Sequence, residues 1–187
     1  MARGSSEIEI KLKIPNAPHG RRLLRANGFR VSKRRVFEAN TVFDTPGLAL
    51  RKTRRLLRVR HVGRESILTY KGAPVPSKHK SREELELSLS DGRTFAVILD
   101  RLGYRPTFLY EKYRTTYREL QVSGEVTLDE TPIGVFLELE GSPRWIDRTA
   151  RRLGFTEDDY ILDSYGRLYL EWCKVEGVQP ANMQFRR

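Results

Sequence analysis

The first extended segment of the chain alternates strictly between charged and apolar residues. Glu7, Glu9 and Lys11 occupy the odd positions, whereas Ile8 and Ile10 occupy the even ones. Because successive side chains of a strand point to opposite faces, this pattern predicts a strand with one ionic and one apolar face. The pattern by itself is typical of any half-solvated strand. Two carboxylates about 7 Å apart, followed by an ammonium, also fit a divalent cation and the anion that it neutralises.

The same two-residue period recurs along the chain and predicts about eight strands. After the first strand, extended segments are predicted at 31–43, 56–62, 66–71, 82–89, 107–118, 121–129 and 133–140. Apolar periodicity and capping residues predict helices at 19–27, 91–102, 143–153 and 163–174. Short turns join most of the strands, so the sequence predicts an α+β fold built on a mainly antiparallel sheet.

One face of the predicted strands is almost entirely ionic, whereas an ordinary solvated face would mix Ser, Thr, Gln and Lys. Its members are Glu7, Glu9, Lys11, Arg58, Arg60, Lys71, Arg82, Glu84, Glu86, Lys112, Arg114, Arg118, Glu125, Asp129, Glu138 and Glu140. If the strands close into a barrel with helices outside, this face becomes the lumen. Such a lumen must hold water, metal ions and a charged ligand, because desolvated ions are costly. The alternative is an open sheet with a basic groove.

The charge balance indicates an anionic partner. The chain has 35 Lys and Arg against 24 Asp and Glu, a formal net charge of +11. Its one cysteine, Cys173, excludes an intramolecular disulfide and favours a reducing compartment, so we expect a cytoplasmic protein. We expect no membrane association, because no apolar run approaches about 20 residues. The length predicts one domain over residues 1–175 and a flexible tail over 176–187.

The residue types on the ionic face narrow the choice of ligand. Paired carboxylates without a His or Cys cluster favour Mg²⁺ or Mn²⁺ over zinc. The three histidines, His19, His61 and His79, are scattered and are interpreted as surface residues. Arginine forks bind phosphate oxygens bidentately, and several such residues suit several phosphates in a row. A polyphosphate chain therefore fits better than a monophosphate.

Taken in chain order, the motifs resemble those of the CYTH family, also called triphosphate tunnel metalloenzymes. The family's hallmark E-x-E-x-K strand corresponds to residues 7–11. The later matches are Arg58-Val59-Arg60, Thr69-Tyr70-Lys71-Gly72, Glu84-Leu85-Glu86, Lys112-Tyr113-Arg114, Asp129 and Glu138-Leu139-Glu140. The resemblance covers residues 5–172, and it depends on the order of the matches rather than on any one of them.

The resemblance implies an eight-stranded closed tunnel, open at both ends, with helices packed outside. Acidic residues of the tunnel would bind two Mg²⁺ or Mn²⁺ ions, and basic residues would hold a triphosphate. The implied metal ligands are Glu7, Glu9, Glu138 and Glu140, supported by Glu84, Glu86 and Asp129. The implied phosphate-binding residues are Lys11, Arg58, Arg60, Lys71, Arg82, Lys112 and Arg114. The implied catalytic residues are Glu7, Glu9, Lys11 and Lys174, although the helix dipole explains a lysine at position 174 equally well.

The activity implied by the resemblance is the processing of tripolyphosphate, ATP or thiamine triphosphate. Attack by water would make the enzyme a triphosphatase, which we place first. Attack by the ribose 3′-hydroxyl of ATP would make it a class IV adenylyl cyclase. A non-catalytic binder of RNA or polyphosphate is the alternative from another class, favoured by the net charge but opposed by the many strand-facing acids. We expect a monomer or a homodimer.

Overall fold

The computed structural model describes residues 5–186, with Ser5 and Ser6 described in their backbone. The strands are β1 Ser5–Ile14, β2 Arg30–Asp44, β3 Leu56–Val62, β4 Glu65–Lys71, β5 Lys80–Leu89, β6 Arg105–Arg118, β7 Glu125–Thr131 and β8 Gly134–Glu140. The α-helices are α1 Ala17–Ala26, α2 Ala49–Lys52, α3 Gly92–Arg101, α4 Pro143–Arg152 and α5 Tyr165–Glu176, and a 3₁₀ turn covers Glu157–Asp159. None of the described helices has the length and apolarity needed to cross a membrane.

The eight strands close into an antiparallel barrel in the order β1-β5-β4-β3-β2-β6-β7-β8. The closure occurs at β1, which pairs with both β5 and β8. Glu9 is therefore opposite Lys80 on one side and Glu140 on the other. Because a closed sheet has an inner face on every strand, the ionic rows of different strands look into one space. The predicted α+β fold with an eight-stranded closed barrel and outer helices is confirmed.

Buried apolar side chains fill the space between the barrel and its outer helices. α1 and α4 cover the β7–β8–β1 sector, where Ile10, Leu12, Leu128, Leu137 and Leu139 are fully buried. A further outward cluster joins α3 to β3 and β4. The remaining cluster closes one end of the barrel, where α5 packs on the inward-facing Tyr110 and Phe136. Burial of the outward face leaves the ionic face to line the rest of the lumen.

One strand boundary and one short helix differ most from the prediction. β7 begins at Glu125 rather than at residue 121, because Gln121 and Gly124 both adopt positive φ angles in the preceding turn. The short helix α2 was not predicted. It is organised by Asp44, whose carboxylate accepts hydrogen bonds from the backbone N–H groups of Leu50 and Arg51, both at 2.9 Å.

The residues after α5 were predicted to be a flexible tail, but residues 182–185 pack on β6. The backbone N–H of Met183 donates to Leu109 O and that of Glu111 donates to Met183 O, each at 2.9 Å. Met183 is 1% exposed, and the N–H of Phe185 donates to the Glu111 carboxylate. β7 pairs with β6 only from Tyr113 onward, so the tail occupies the strand edge left over. These contacts argue against a flexible tail; Arg187 lies outside the described residues.

His79 is not the surface residue that the sequence analysis expected. Its side chain is buried, and Nε2 lies 2.7 Å from Asp147 Oδ1 on α4. Asp147 also accepts a hydrogen bond from the Tyr160 hydroxyl and pairs with Lys78, which together hold the pKa of its carboxyl below the usual value despite burial. The loop before β5 is thereby fixed to α4.

The turn before β7 depends on a glycine. Gly124 has φ of +131°, and an added Cβ would lie 2.7 Å from the Trp145 ring. We expect Gly124→Ala to lower the free energy of unfolding by about 1–3 kcal/mol more than Gly28→Ala, since overpacking adds to backbone strain. Gly28 also has positive φ but has nothing within 4 Å of an added Cβ. Equal losses in urea unfolding would contradict the packing argument.

Candidate active site in the barrel lumen

The predicted ionic rows meet inside the barrel and pair across strands. Glu7 is opposite Arg82, Lys11 is opposite Glu138, and Arg114 is opposite Asp129. Among the described residues, the ionic network of the lumen contains eight carboxylates and eight cations, apart from the Arg118–Glu125 pair at one mouth. The carboxylates are Glu7, Glu9, Glu38, Glu84, Glu86, Asp129, Glu138 and Glu140, and the cations are Lys11, Arg58, Arg60, Lys71, Lys80, Arg82, Lys112 and Arg114. Formal charge therefore cancels inside the barrel.

Asp129 is the fully buried centre of one part of this network. It accepts hydrogen bonds from Lys112 Nζ at 2.8 Å, from Arg114 Nε at 2.7 Å and from the Tyr165 hydroxyl at 2.8 Å. Arg114 Nη2 adds a further bond at 2.6 Å. Burial and the Asp129 carboxylate raise the pKa of Tyr165 well above its usual value. These donors surround both oxygens, so Lys112 and Arg114 are held against Asp129.

Lys11 lies between two carboxylates of the E-x-E-x-K strand and β8. Its Nζ is 3.1 Å from Glu9 Oε1 and 3.3 Å from Glu138 Oε1. Lys80 Nζ approaches Glu9 Oε1 at 2.7 Å, and Arg114 pairs with Glu138. Burial opposes ionisation of Glu9, but Lys11 and Lys80 outweigh it and hold the pKa of Glu9 well below its usual value. Both carboxylates of this group are therefore charged at neutral pH.

Glu7 belongs to a second group near one mouth. Its carboxylate accepts hydrogen bonds from Lys71 Nζ and, at 3.3 Å, from Arg82 Nε. Lys71 also lies 3.1 Å from Glu84 Oε1. Burial and the neighbouring carboxylates of Glu7 and Glu86 raise the pKa of Glu84, although Lys71 acts in the other direction. Lys71 thus pairs with two carboxylates, and Arg82 is a second cationic partner of Glu7.

Glu140 differs from the other lumen carboxylates. Within residues 5–186, it has no ion-pair partner at 4.0 Å or less, although its side chain reaches solvent at the mouth. Burial of the carboxyl and the nearby charges of Glu7, Glu125 and Glu9 raise its pKa to about 7. This crowding of carboxylates would be relieved by a bound cation.

The carboxylates around Glu140 suit a hard divalent cation. Glu7, Glu9 and Glu140 supply oxygen ligands, and oxygen donors without thiolate or imidazole suit Mg²⁺ or Mn²⁺. Over the described part of the chain, no three such groups are already arranged around a common ion position. Lys71, Lys80 and Lys11 hold the carboxylates instead. The residues therefore fit the metal by type and location, with the lysines as the competing partners.

Arg58 and Arg60 line the lumen on β3. Arg58 donates to the Tyr110 hydroxyl at 3.0 Å and to Thr69 Oγ1 at 3.1 Å, and Arg60 donates to Glu86 Oε1 at 3.1 Å. Both guanidinium groups retain a buried Nε with no hydrogen-bond partner among the described residues. Because an unpaired buried donor is costly, these two groups are suited to an incoming anion.

Several lumen residues were missed by the sequence analysis. Glu38 is buried opposite Lys112, with its Oε2 3.7 Å from Lys112 Nζ. Despite burial, Lys112 and Arg114 lower the pKa of Glu38 to about 2. The two-residue spacing of Glu38 and Asn40 could have indicated that both lie on one strand face, but the basic residues that precede them obscured this pattern. Lys80 falls just before the strand predicted at 82–89, although it lies two residues before Arg82 and therefore shares its face.

Lys174 is the one predicted catalytic residue that lies outside the lumen. Its side chain is 73% exposed at the end of α5, and its Nζ is 3.3 Å from Glu171 of the same helix. The helix C-terminus accounts for its position. We therefore do not retain Lys174 in the candidate site.

One mouth of the lumen opens into a cavity of about 800 Å³. Lys80, Arg82 and Tyr110 form its inner wall, and Phe108 and Tyr169 form part of its outer wall. The ring centroid of Phe108 lies 5.7 Å from the ring centroid of Tyr110 and 5.7 Å from that of Tyr169. The cavity thus joins the cationic lumen to an aromatic surface, at a volume typical of small-molecule sites.

Comparison with known proteins agrees with this architecture. A protein of Methanocaldococcus jannaschii named "Putative adenylate cyclase" is 30% identical over 136 residues, which is 73% of this chain and 77% of that protein. A Pyrococcus horikoshii structure aligns with 27% identity and a TM-score of 0.74, covering 88% of this chain and 98% of that one.

A structure from Hippeastrum shares the fold at lower identity. It aligns with a TM-score of 0.60 and 19% identity over 93% of this chain and 97% of its own, and it is described as a "Putative adenylyl cyclase" that reveals a dominant triphosphatase activity. The family model described as CYTH domain matches residues 5–165 of this chain. The chain therefore belongs to the CYTH domain family.

Proposed function

We propose that this chain is a divalent-metal-dependent enzyme that hydrolyses a triphosphate inside the barrel. The observation that carries the proposal is the enclosure of matched carboxylates and cations in one lumen. A binder of phosphate alone would need the cations, whereas the carboxylates would repel it unless a metal intervened. Both sets together fit a substrate that is a metal–triphosphate complex. This also argues against the alternative of a non-catalytic RNA or polyphosphate binder in the lumen.

The phosphate-binding role falls to the lumen cations. The proposed set is Lys11, Arg58, Arg60, Lys71, Lys80, Arg82, Lys112 and Arg114. Arg58 and Arg60 have unpaired Nε donors, and Arg114 is held in place by Asp129. Charge spread over the transferred phosphoryl group is stabilised best by cations that are already oriented.

The metal-binding role falls to carboxylates near the E-x-E-x-K strand. Glu7, Glu9 and Glu140 would hold Mg²⁺ or Mn²⁺, with Glu138, Glu84 and Glu86 close enough to support them directly or through water. When bound, the metal would neutralise phosphate oxygens and activate the attacking water. We assign Asp129 to positioning Lys112 and Arg114. We expect two ions, a cytoplasmic location and a monomer or homodimer.

Hydrolysis of tripolyphosphate or of a nucleoside or other organic triphosphate is the first candidate reaction. The Hippeastrum protein with a dominant triphosphatase activity supports this order. Cyclisation of ATP is the second candidate. The aromatic cavity at the mouth favours it, because the cavity has room for a nucleoside beside the phosphate-binding residues.

Product analysis tests the proposed reaction. The protein would be incubated with tripolyphosphate, ATP or thiamine triphosphate in the presence of Mg²⁺ or Mn²⁺. Hydrolysis releases orthophosphate together with pyrophosphate, ADP or thiamine diphosphate according to the substrate, whereas the cyclase releases cyclic AMP and pyrophosphate from ATP without orthophosphate. No metal-dependent product from any of the three substrates would overturn the proposal.

Arg58→Ala tests the phosphate-binding role. Removing this guanidinium deletes charge-assisted hydrogen bonds of about 1.5–3 kcal/mol, so we expect KM for tripolyphosphate to rise about tenfold to a hundredfold. The matched control is Arg64→Ala, an exposed arginine in the turn between β3 and β4. Steady-state kinetics at saturating Mg²⁺ provide the measurement. An unchanged KM in a folded Arg58→Ala protein would remove Arg58 from the substrate site.

A further inference from the structure

The net charge of the protein lies outside the lumen. The full chain has a formal net charge of +11, whereas the described lumen carboxylates and cations cancel. Arg118 and Glu125, at one mouth, also form a pair at 2.7 Å. Triphosphate binding in the lumen therefore does not account for the excess of positive charge.

Two neighbouring helices carry much of this excess. α1 packs on β7 and β1, and α4 packs on β8 and β1, which are consecutive strands of the closed barrel. The Arg152 guanidinium on α4 lies 4.8 Å from the ring centroid of Phe29, which follows α1. The outer sides of α1 and α4 therefore form one continuous surface.

This surface, which we call the arginine face, is defined by seven arginines. They are Arg21, Arg22, Arg25, Arg144, Arg148, Arg151 and Arg152. The two helices contain no lysine and one acid, Asp147, which is already paired with Lys78 and His79. The spacing of the four α4 arginines places them on one side of the helix, opposite the buried Trp145 and Ile146.

Five of the seven arginines have no acidic partner among the described residues. Arg21 approaches Glu130 at 3.9 Å and Arg152 pairs with Glu119 at 2.7 Å. The others are exposed and have no carboxylate within 4.0 Å in the described part of the chain: Arg22, Arg25, Arg144, Arg148 and Arg151. Like charges four residues apart, as at 144, 148 and 152, destabilise a helix. An external polyanion would offset this repulsion.

We propose that the arginine face binds the phosphodiester backbone of nucleic acid without reading its sequence. Guanidinium forks match phosphate oxygens, and backbone contacts alone suffice for sequence-independent binding. α4 has 10 residues and is therefore about 15 Å long, close to the rise of four to five base pairs at about 3.4 Å each.

An anionic membrane surface fits the arginine face less well. A helix that lies in a membrane interface exposes large apolar side chains beside its basic ones. The apolar residues of these helices, including Leu24, Trp145, Ile146 and Leu153 beyond the end of α4, are buried against the barrel. The arginine face is thus charged and has no large exposed apolar side chains at its edge, as expected for a surface that binds nucleic acid.

The test measures binding to fluorescein-labelled RNA and DNA duplexes of about 20 base pairs, which exceed the length of the face. The variant is Arg22→Gln/Arg144→Gln/Arg148→Gln. We expect its affinity at 0.1 M salt to fall at least about tenfold, and the slope of log K against log salt to decrease by about 2–3. Hydrolysis in the lumen should stay within about twofold of wild type, because these residues lie outside it.

The matched control is Arg64→Gln/Arg93→Gln/Arg101→Gln, which removes the same charge near α3 on the opposite side of the barrel. Its affinity should fall less than about threefold. The proposal is overturned if wild type does not bind either duplex, or if both variants lose equal affinity. It is also overturned if excess tripolyphosphate displaces the duplex, which would place binding in the lumen. Tighter, face-dependent binding to phosphatidylserine vesicles would assign the face to membranes instead.

Discussion

Glu9→Gln is expected to lower kcat for metal-dependent triphosphate hydrolysis by about 10³-fold while leaving the barrel folded. Glutamine has the same shape and still accepts hydrogen bonds from Lys11 and Lys80, which contact Glu9 at 3.1 and 2.7 Å. It removes the negative charge that faces Glu140, where we place a divalent cation. Metal stabilisation of phosphoryl transfer is worth several kcal/mol, and each 1.36 kcal/mol is a tenfold change in rate.

The control for Glu9→Gln is Glu176→Gln. Glu176 is exposed at the end of α5, so its substitution removes the same charge outside the lumen. Both proteins would be compared by steady-state kinetics, by thermal unfolding and by titration with Mn²⁺. Turnover within about tenfold of wild type in a folded Glu9→Gln protein would exclude Glu9 from the metal site.

Asp129→Asn is expected to have the largest effect on stability, a loss of about 3–5 kcal/mol in the free energy of unfolding. Asp129 is 0% exposed, and its carboxylate is the shared partner of Lys112, Arg114 and the Tyr165 hydroxyl. Asparagine leaves the two cations close together with less compensating charge. Breaking a buried pair by removing one partner costs more than the pair itself contributes.

Urea unfolding of Asp129→Asn would be compared with that of Asp158→Asn, an exposed acid in the 3₁₀ turn. The control should change stability by less than about 0.5 kcal/mol. We also expect loss of hydrolysis at temperatures where the variant is folded, because Lys112 and Arg114 lose their orientation. A stability loss below about 1 kcal/mol would show that the network around Asp129 is replaceable.

The strands and the ionic face were predictable because a two-residue period is a local property. The alternation at residues 7–11 indicates which side chains share a face, and the capping residues Asp91 and Ser142 indicate where two helices begin. Closure of the barrel depends on the pairing of β1 with both β5 and β8, and these strands are far apart in the chain. The resemblance to a family, rather than the period itself, predicted that closure.

The mistaken predictions for the tail and for His79 share a physical cause, since each concerns a contact between distant segments. Met183 is ordered by the edge of β6 left free by β7, and His79 is buried by Asp147 on α4. The role of Asp129 depends on Lys112, Arg114 and Tyr165 meeting at one point. A sequence pattern shows that such residues are polar, but not which partner each one meets.

The central claim is that one enclosed lumen binds both the metal and the triphosphate. Its most direct test is a crystal structure with Mn²⁺ and a non-hydrolysable tripolyphosphate analogue, with anomalous scattering used to locate the metal. We predict Mn²⁺ in contact with carboxylates among Glu7, Glu9 and Glu140, and phosphates in contact with Lys11, Arg58 and Arg114. Metal and analogue bound outside the barrel, with an empty lumen, would contradict the account.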